Sequence, residues 1–152
     1  MRIRRALSDD FPVIHELLNQ LMRGLEHRRL AMWSMLMAHQ GYAAWIAEVD
    51  DTPAGFVDLF VFPDVAHGEN IGIVSNLIVD ERFRGAGLSE TLLGEAVEHA
   101  RREQAMEVHV WIDFDNTRAI GLCKKVGFIE RALLQAPSGH LMAPDQEESR
   151  LR

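Results

Sequence analysis

At 152 residues, with 47% apolar and 26% charged side chains, the chain suits one ordinary soluble domain and is long enough to bury a core. A formal net charge of −7 argues against a general nucleic-acid binder, which would show a basic face, and no apolar run approaches the length of a membrane span. A lone cysteine excludes an internal disulfide and fits a reducing cytoplasm, while seven histidines without paired ligand spacing speak against a metal site.

Met1-Arg2-Ile3-Arg4-Arg5 is followed by no signal-peptide core, and residues 3–6 read as a first strand. Ser8 reads as the N-cap of a helix whose first turn carries Asp9 and Asp10. Val13, Ile14, Leu17, Leu18, Leu21 and Met22 recur at helical spacing and carry that helix to about Gly24. A second helix over 28–40 holds Leu30, Met32, Trp33, Met35, Leu36 and Met37, and reads as a packing helix or as the lining of an adaptable pocket. Strands over 43–49 and 55–62 flank the turn Asp50-Asp51-Thr52-Pro53. A polar loop over 64–70 leads into an apolar strand, 71–79, expected to be buried on both faces.

That strand runs through a short charged loop into Arg84-Gly85-Ala86-Gly87-Leu88-Ser89 and then an amphipathic helix over 88–104. Gly85 and Gly87 let backbone N–H groups approach a ligand with no Cβ in the way. The first N–H groups of the helix have no internal partner, and its dipole is positive there, so the turn forms a cradle for a phosphate or pyrophosphate. Arg84 adds a fixed positive charge. A nucleoside triphosphatase loop would need Lys-Ser or Lys-Thr where Leu88-Ser89 stands, and a dinucleotide fingerprint a glycine where Glu90 stands. The helix buries Leu88, Leu92, Ala96 and Ala100 on one stripe, with Leu93 and Val97 beside it. A strand over 107–114 alternates Val108, Val110, Ile112 and Phe114 with His109, Trp111 and Asp113. Asn116 reads as a turn or N-cap residue for a helix over 117–126 that stops at Gly127. Closing strands over 129–135 and 140–143 and a frayed tail over 145–152 complete the chain.

Two of these segments resemble the GNAT N-acetyltransferase superfamily. Its acetyl-CoA loop reads Gln/Arg-x-x-Gly-x-Gly/Ala five residues after a strand-ending Val; here Val79 is followed by Arg84, Gly87 and Ser89 at that spacing. The run from Asn116 through Ala119, Leu122 and Cys123 to Gly127-Phe128 resembles a second family block, with Cys123 where a tyrosine usually stands. Ala47-Glu48-Val49 and Pro53-Ala54-Gly55-Phe56 resemble the family's second and third strands. The resemblance implies an α/β fold with a mixed, mostly antiparallel sheet, splayed central strands and flanking helices, in one N-acetyltransferase domain over residues 1–144.

It further implies acetyl-CoA as co-substrate, held by the backbone of Leu77, Ile78 and Val79, by Arg84, Gly85, Ala86, Gly87, Leu88 and Ser89, and by Asn116. The family's tyrosine protonates the departing thiolate; Cys123 either takes that role or packs as a small hydrophobe. Family members with a strand carboxylate carry it where this chain has Ile73 or Ser75, neither of which can deprotonate an ammonium. Glu69 lies on the same alternation, and Asp58, His67, Asp113 or a water are the other candidates for the base. The implied reaction is attack of an amine on the thioester in a ternary complex. The acceptor is a small-molecule amine or a protein amino group, without nucleic-acid or membrane partners, and a homodimer is compatible. The alternative is a non-catalytic acyl-CoA-binding sensor.

Overall fold

Two tight turns fix the antiparallel part of the sheet. In the computed structural model, which describes residues 1–131, Asp50 and Asp51 both take positive φ (49° and 58°). This is the backbone of a two-residue hairpin, which a short carboxylate side chain tolerates. It joins β2 (Tyr42–Val49) to β3 (Thr52–Asp64). At the other end of β3, Gly68 (φ 67°) donates its N–H to the Asp64 carbonyl at 2.9 Å and turns the chain into β4 (Glu69–Val79). The expected polar loop over 64–70 is therefore shorter than its composition suggested, because Asp64 and Glu69 already form a ladder pair.

β1 (Arg2–Arg5) pairs antiparallel with β2, and β5 (Ala105–Val110) pairs parallel with β4, so five strands lie side by side in chain order. A parallel pair needs a crossover, supplied here by α3 (Leu88–Arg102). The result is the expected mixed, mostly antiparallel sheet with helices on both faces.

Strand alternation sorts the core into two layers. Ala43, Trp45, Ala47, Val57, Leu59 and Val74 face α3, which buries the predicted stripe of Leu88, Leu92, Ala96 and Ala100. The alanines bring α3 close: a Cβ at Gly72 would lie 3.3 Å from that of Ala100. Tyr42, Ala44, Ile46, Phe56 and Ile78 face the other way, under Phe11, Ile14 and Leu17 of α1 (Phe11–Leu21) and Trp33 of α2 (Glu26–Met37). Trp33 pins α2 through its Nε1–H, which donates to the Ser8 carbonyl at 3.0 Å, while Leu30, Met32 and Met35 stay exposed. α4 (Thr117–Lys125) follows β5.

Four expectations change. Ser8 does not cap α1: residues Ser8–Asp10 form a 3₁₀ turn and the helix begins at Phe11, next to Pro12, whose fixed φ and missing N–H suit a first turn. β4 is not buried on both faces, since Ser75 is exposed and Ile73, Asn76 and Leu77 are half-buried. β5 ends at Val110 instead of 114, and Phe114 is 92% exposed. Residues 129–131 are not in a strand, and the remainder of the expected closing strands and tail lies outside the described residues.

Leu92 has no exposed surface and lies at the centre of the α3 layer. Leu92→Ala is expected to lower unfolding free energy by about 2–5 kcal/mol in urea titration, whereas Leu30→Ala, at a 45% exposed position, should cost far less. Equal losses at the two sites would contradict this layering.

Candidate active site

The site begins at a miscount between strands. Leu77 pairs with Val57 and Val74 with Leu59, so Ser75 and Asn76 of β4 together oppose Asp58 alone. This is a β-bulge, which bends its strand and increases the local twist. The parallel ladder with β5 ends at the same place: its last pair is Val74 with Val110, closed by the Trp111 amide donating to the Val74 carbonyl at 3.3 Å. β4 runs on for five residues, 75–79, while the chain after Val110 leaves the ladder. The expected splay is present, and it leaves the β5-facing edge of Leu77, Ile78 and Val79 without a strand partner among the described residues.

The bulge is held from β3. Asp58 is 4% exposed, and its carboxylate accepts from the Asn76 amide (2.8 Å), the Asn76 Nδ2 (2.8 Å) and the Tyr42 hydroxyl (2.9 Å). Burial pushes the Asp58 carboxyl upward from its ordinary range while these hydrogen bonds pull the other way. The same carboxylate and burial push the Tyr42 phenol upward.

Beyond Val79 the chain is anchored before it reaches the glycine loop. Asp80 is 3% exposed and accepts from Arg82 Nη2 (2.8 Å), the Arg82 amide (2.9 Å) and Gln20 Nε2 (3.1 Å). Gln20 Oε1 takes the Glu81 amide at 3.2 Å, so the last turn of α1 is tied to the root of the loop. The Arg82 hydrogen bonds hold the Asp80 carboxyl well below the usual carboxylate range. Arg82 is thus committed to Asp80, and Glu90 to Lys125 at 2.5 Å. Neither pairs with Arg84, whose Nε donates to the Val79 carbonyl at 3.3 Å and leaves the terminal guanidinium nitrogens available.

Gly85 (φ 86°) and Gly87 (φ 77°) adopt the left-handed backbone, and a Cβ added at either would meet nothing within 4 Å. Gly87 stands at the N-cap of α3 without a side-chain cap, so no capping side chain takes the first N–H groups of that helix. Ala86 is exposed, Leu88 is anchored in the core and Ser89 is half-buried. These features fit a phosphate group. Asn116 caps α4, its Oδ1 accepting from the Ala119 amide at 3.1 Å, and its Nδ2 keeps its donors.

The catalytic candidates are not brought together. Cys123 is buried in the α3-facing layer at 5% exposure, and burial pushes its thiol upward. Ser75 is exposed beside the bulge. Glu69 shares its face but lies six residues away, about 20 Å of extended strand, at the hairpin end where His67 pairs with Asp64. That separation rules out direct proton transfer between Glu69 and a group at the ladder's end. Asp113 is exposed on the segment leading to α4. Tyr42 and Asn76 went unnoticed from sequence, although Asp inside Phe-Val-Asp-Leu-Phe and Ser-Asn inside Ile-Val-Ser-Asn-Leu-Ile signal buried polar groups that need partners. Among the described residues no group of three or more His, Cys, Asp or Glu is arranged to hold a metal, and no helix is long and apolar enough to cross a membrane.

Among the described residues the sheet opens where its parallel pair, β4 with β5, ends, and an uncapped helix N-terminus follows β4; this defines an α/β domain with an open strand edge. The chain belongs to the acetyltransferase (GNAT) family, whose model matches residues 2–128. It is 28% identical over 142 residues to an uncharacterized N-acetyltransferase of Methanocaldococcus jannaschii, an alignment that covers 88% of this chain and 62% of that protein. A putative acetyltransferase from Agrobacterium tumefaciens superposes with a TM-score of 0.82 at 19% identity, over 90% of this chain and 99% of that one. An aminoglycoside N-acetyltransferase in complex with CoA gives 0.80 at 20% identity, over 90% and 93%. At these identities the structural likeness concerns the fold.

Because the Asp80 carboxyl is depressed in the fold, the unfolded chain takes up its proton first as pH falls. Asp80 therefore contributes stability above about pH 4, the ordinary Asp value, that is lost as pH drops below it. Asp80→Asn should be less stable than the parent near pH 7 and lose less between about pH 5 and pH 3. Parallel pH–stability curves for the two proteins would contradict the assignment.

Proposed function

We propose that the protein is an N-acetyltransferase that moves an acetyl group from acetyl-CoA to an amine, by direct attack while both are bound. The observation that carries this reading is the coincidence of the ladder's end at Val74 with the open cradle at Gly85, Gly87 and the α3 N-terminus. A ligand held at both places must be long, carry amides and end in phosphates, and acetyl-CoA has that chemistry. Bound there, it supplies an activated thioester carbonyl.

The chain's own residues bind, orient and polarise. Arg84 and the N–H groups of residues 85–89 would hold the pyrophosphate. The free edge of Leu77, Ile78 and Val79 would take the pantetheine amides in place of a neighbouring strand, and an N–H of this edge would donate to the thioester oxygen as charge grows on it. Asn116 Nδ2 would donate to the same arm. Catalysis then rests largely on positioning.

Asp58 is held by its donors and Glu69 stands at the far end of β4, whereas Asp113 is exposed on the segment that leaves the ladder after Val110. The acceptor would lose its proton to Asp113 or to water, or arrive as the neutral amine. Small polyamines and aminoglycosides are the first acceptors to screen, since a structural neighbour is named for the latter. A protein amino group is the next. The buried Cys123 favours packing over proton donation, and the absence of a strand carboxylate there is also what a non-catalytic acyl-CoA sensor would show.

Thiol release from acetyl-CoA, measured across an amine panel, separates the two readings: a transferase releases free CoA with a matching amine, a sensor with none. Acetyl-CoA at a hundredfold its Kd is expected to add about 2.7 kcal/mol to unfolding free energy. Gly87→Asp, which puts a side chain and a negative charge into the cradle, should abolish that gain; parental stabilisation of the variant would remove the loop from the site. Cys123→Ala should lower kcat by no more than a few-fold, whereas a loss of about a hundredfold with unchanged binding would make the thiol the proton donor.

A further inference from the structure

Asp58 takes no step in the transfer described above, yet it is among the most deliberately satisfied groups in the sheet. Its two oxygens have about four acceptor sites, and three donors reach them: the Asn76 amide, the Asn76 side chain and the Tyr42 hydroxyl. Every partner is a donor, so the position calls for a group that only accepts. An asparagine would turn its own N–H groups toward other N–H or O–H groups, and an alanine would leave the donors bare.

The need arises from the bulge. Two residues of β4 oppose one of β3, so the Ser75 and Asn76 amides fall out of register with the β3 carbonyls. Buried amides without partners are costly, and the chain would escape that cost by sliding into a regular ladder. A regular ladder would carry β4 past Val74 in register with β5 and close the edge at Leu77, Ile78 and Val79. The Asp58 carboxylate removes the cost by taking the Asn76 amide directly, at 2.8 Å. Tyr42 fixes the carboxylate in turn, its ring held edge-on by Trp33 of α2 with centroids 6.1 Å apart.

We propose that Asp58 is a positioning residue for acyl transfer: with Tyr42 it locks the Ser75–Asn76 bulge, and so sets where the β4–β5 ladder ends and where the amides of residues 77–79 point. The proposal rests on the transferase reading for its kinetic consequence and on the hydrogen bonds alone for its structural one. Held by three donors and buried, Asp58 serves as an anchor and not as the base. It acts on the reaction through Asn76.

The test compares the parent with Asp58→Asn in two measurements. With the best amine of the panel, KM for acetyl-CoA should rise by about tenfold, the loss expected when hydrogen bonds to a charged group are removed, while KM for the amine stays parental. By NMR-detected hydrogen exchange without substrate, the Asn76 amide should exchange at least about tenfold faster, with the amides of Leu92 and Leu93 unchanged. If Asp58→Asn does not fold, Tyr42→Phe keeps the ring against Trp33 and removes one donor, and should move both quantities a few-fold in the same directions. Parental acetyl-CoA KM and parental Asn76 exchange in the folded variant overturn the proposal. So does a fall in kcat with both of those unchanged, which would make Asp58 the base after all. A parent that releases no thiol with any amine counts against the transferase reading instead, and Asn76 exchange still decides whether Asp58 locks the bulge.

Discussion

Two residues of β4 facing one of β3 is the constraint from which the rest of the site follows. A strand with one residue too many must bend, while the irregularity in its pairing with β5 lies at the far end, where Met106 is the extra residue between Ala105 and Glu107. The two strands therefore share a ladder only up to Val74 and Val110. An unpaired edge inside a sheet is ordinarily a liability, exposed to slippage or to pairing with another chain. Here it is short, set deep, and followed within a few residues by a helix N-terminus.

The second half of the site is placed by packing. α3 is seated by Leu88, Leu92, Ala96 and Ala100, and the closeness that the alanines allow fixes where its N-terminus stands against the sheet. Asp80 fixes the other end of the intervening loop, gathering Arg82 and Gln20 so that α1, the end of β4 and the loop root move together. Between these anchors a Cβ at Gly85 or Gly87 would meet nothing within 4 Å, and Arg84 is tethered at its Nε to the Val79 carbonyl. A rigid frame around an uncommitted loop is the arrangement expected where backbone must approach a ligand closely.

Local signals made much of this legible before any coordinates. The glycine loop, the α3 stripe and the Asn116 cap depend on residues within a turn or two of one another, and their spacing was enough. The splay was implied only by resemblance, because the end of a ladder between β4 and β5 is a matter of register between strands some thirty residues apart. Asp58 was one name among several candidate bases: its partners Tyr42 and Asn76 lie sixteen and eighteen residues away, and the polar residues in both strands were the only hint. Ser8 failed as a cap for a similar reason. Asp10 takes the Leu7 amide at 2.7 Å while Arg4, on another element, holds its carboxylate with two contacts of 2.8 Å. Glu69 lies at the hairpin end of β4, because period two fixes a face of the strand but not a position along it.

The central claim is that the bare edge of β4 is the seat of the acyl donor. Hydrogen exchange at the backbone amides of residues 75–79, measured with and without saturating acetyl-CoA, tests it most directly. Protection should rise within 77–79 and at the first amides of α3, while amides in the paired part of β4, such as Ile73 and Val74, change little. Protection confined to the α3 N-terminus, with 77–79 exchanging as in the free protein, would contradict it.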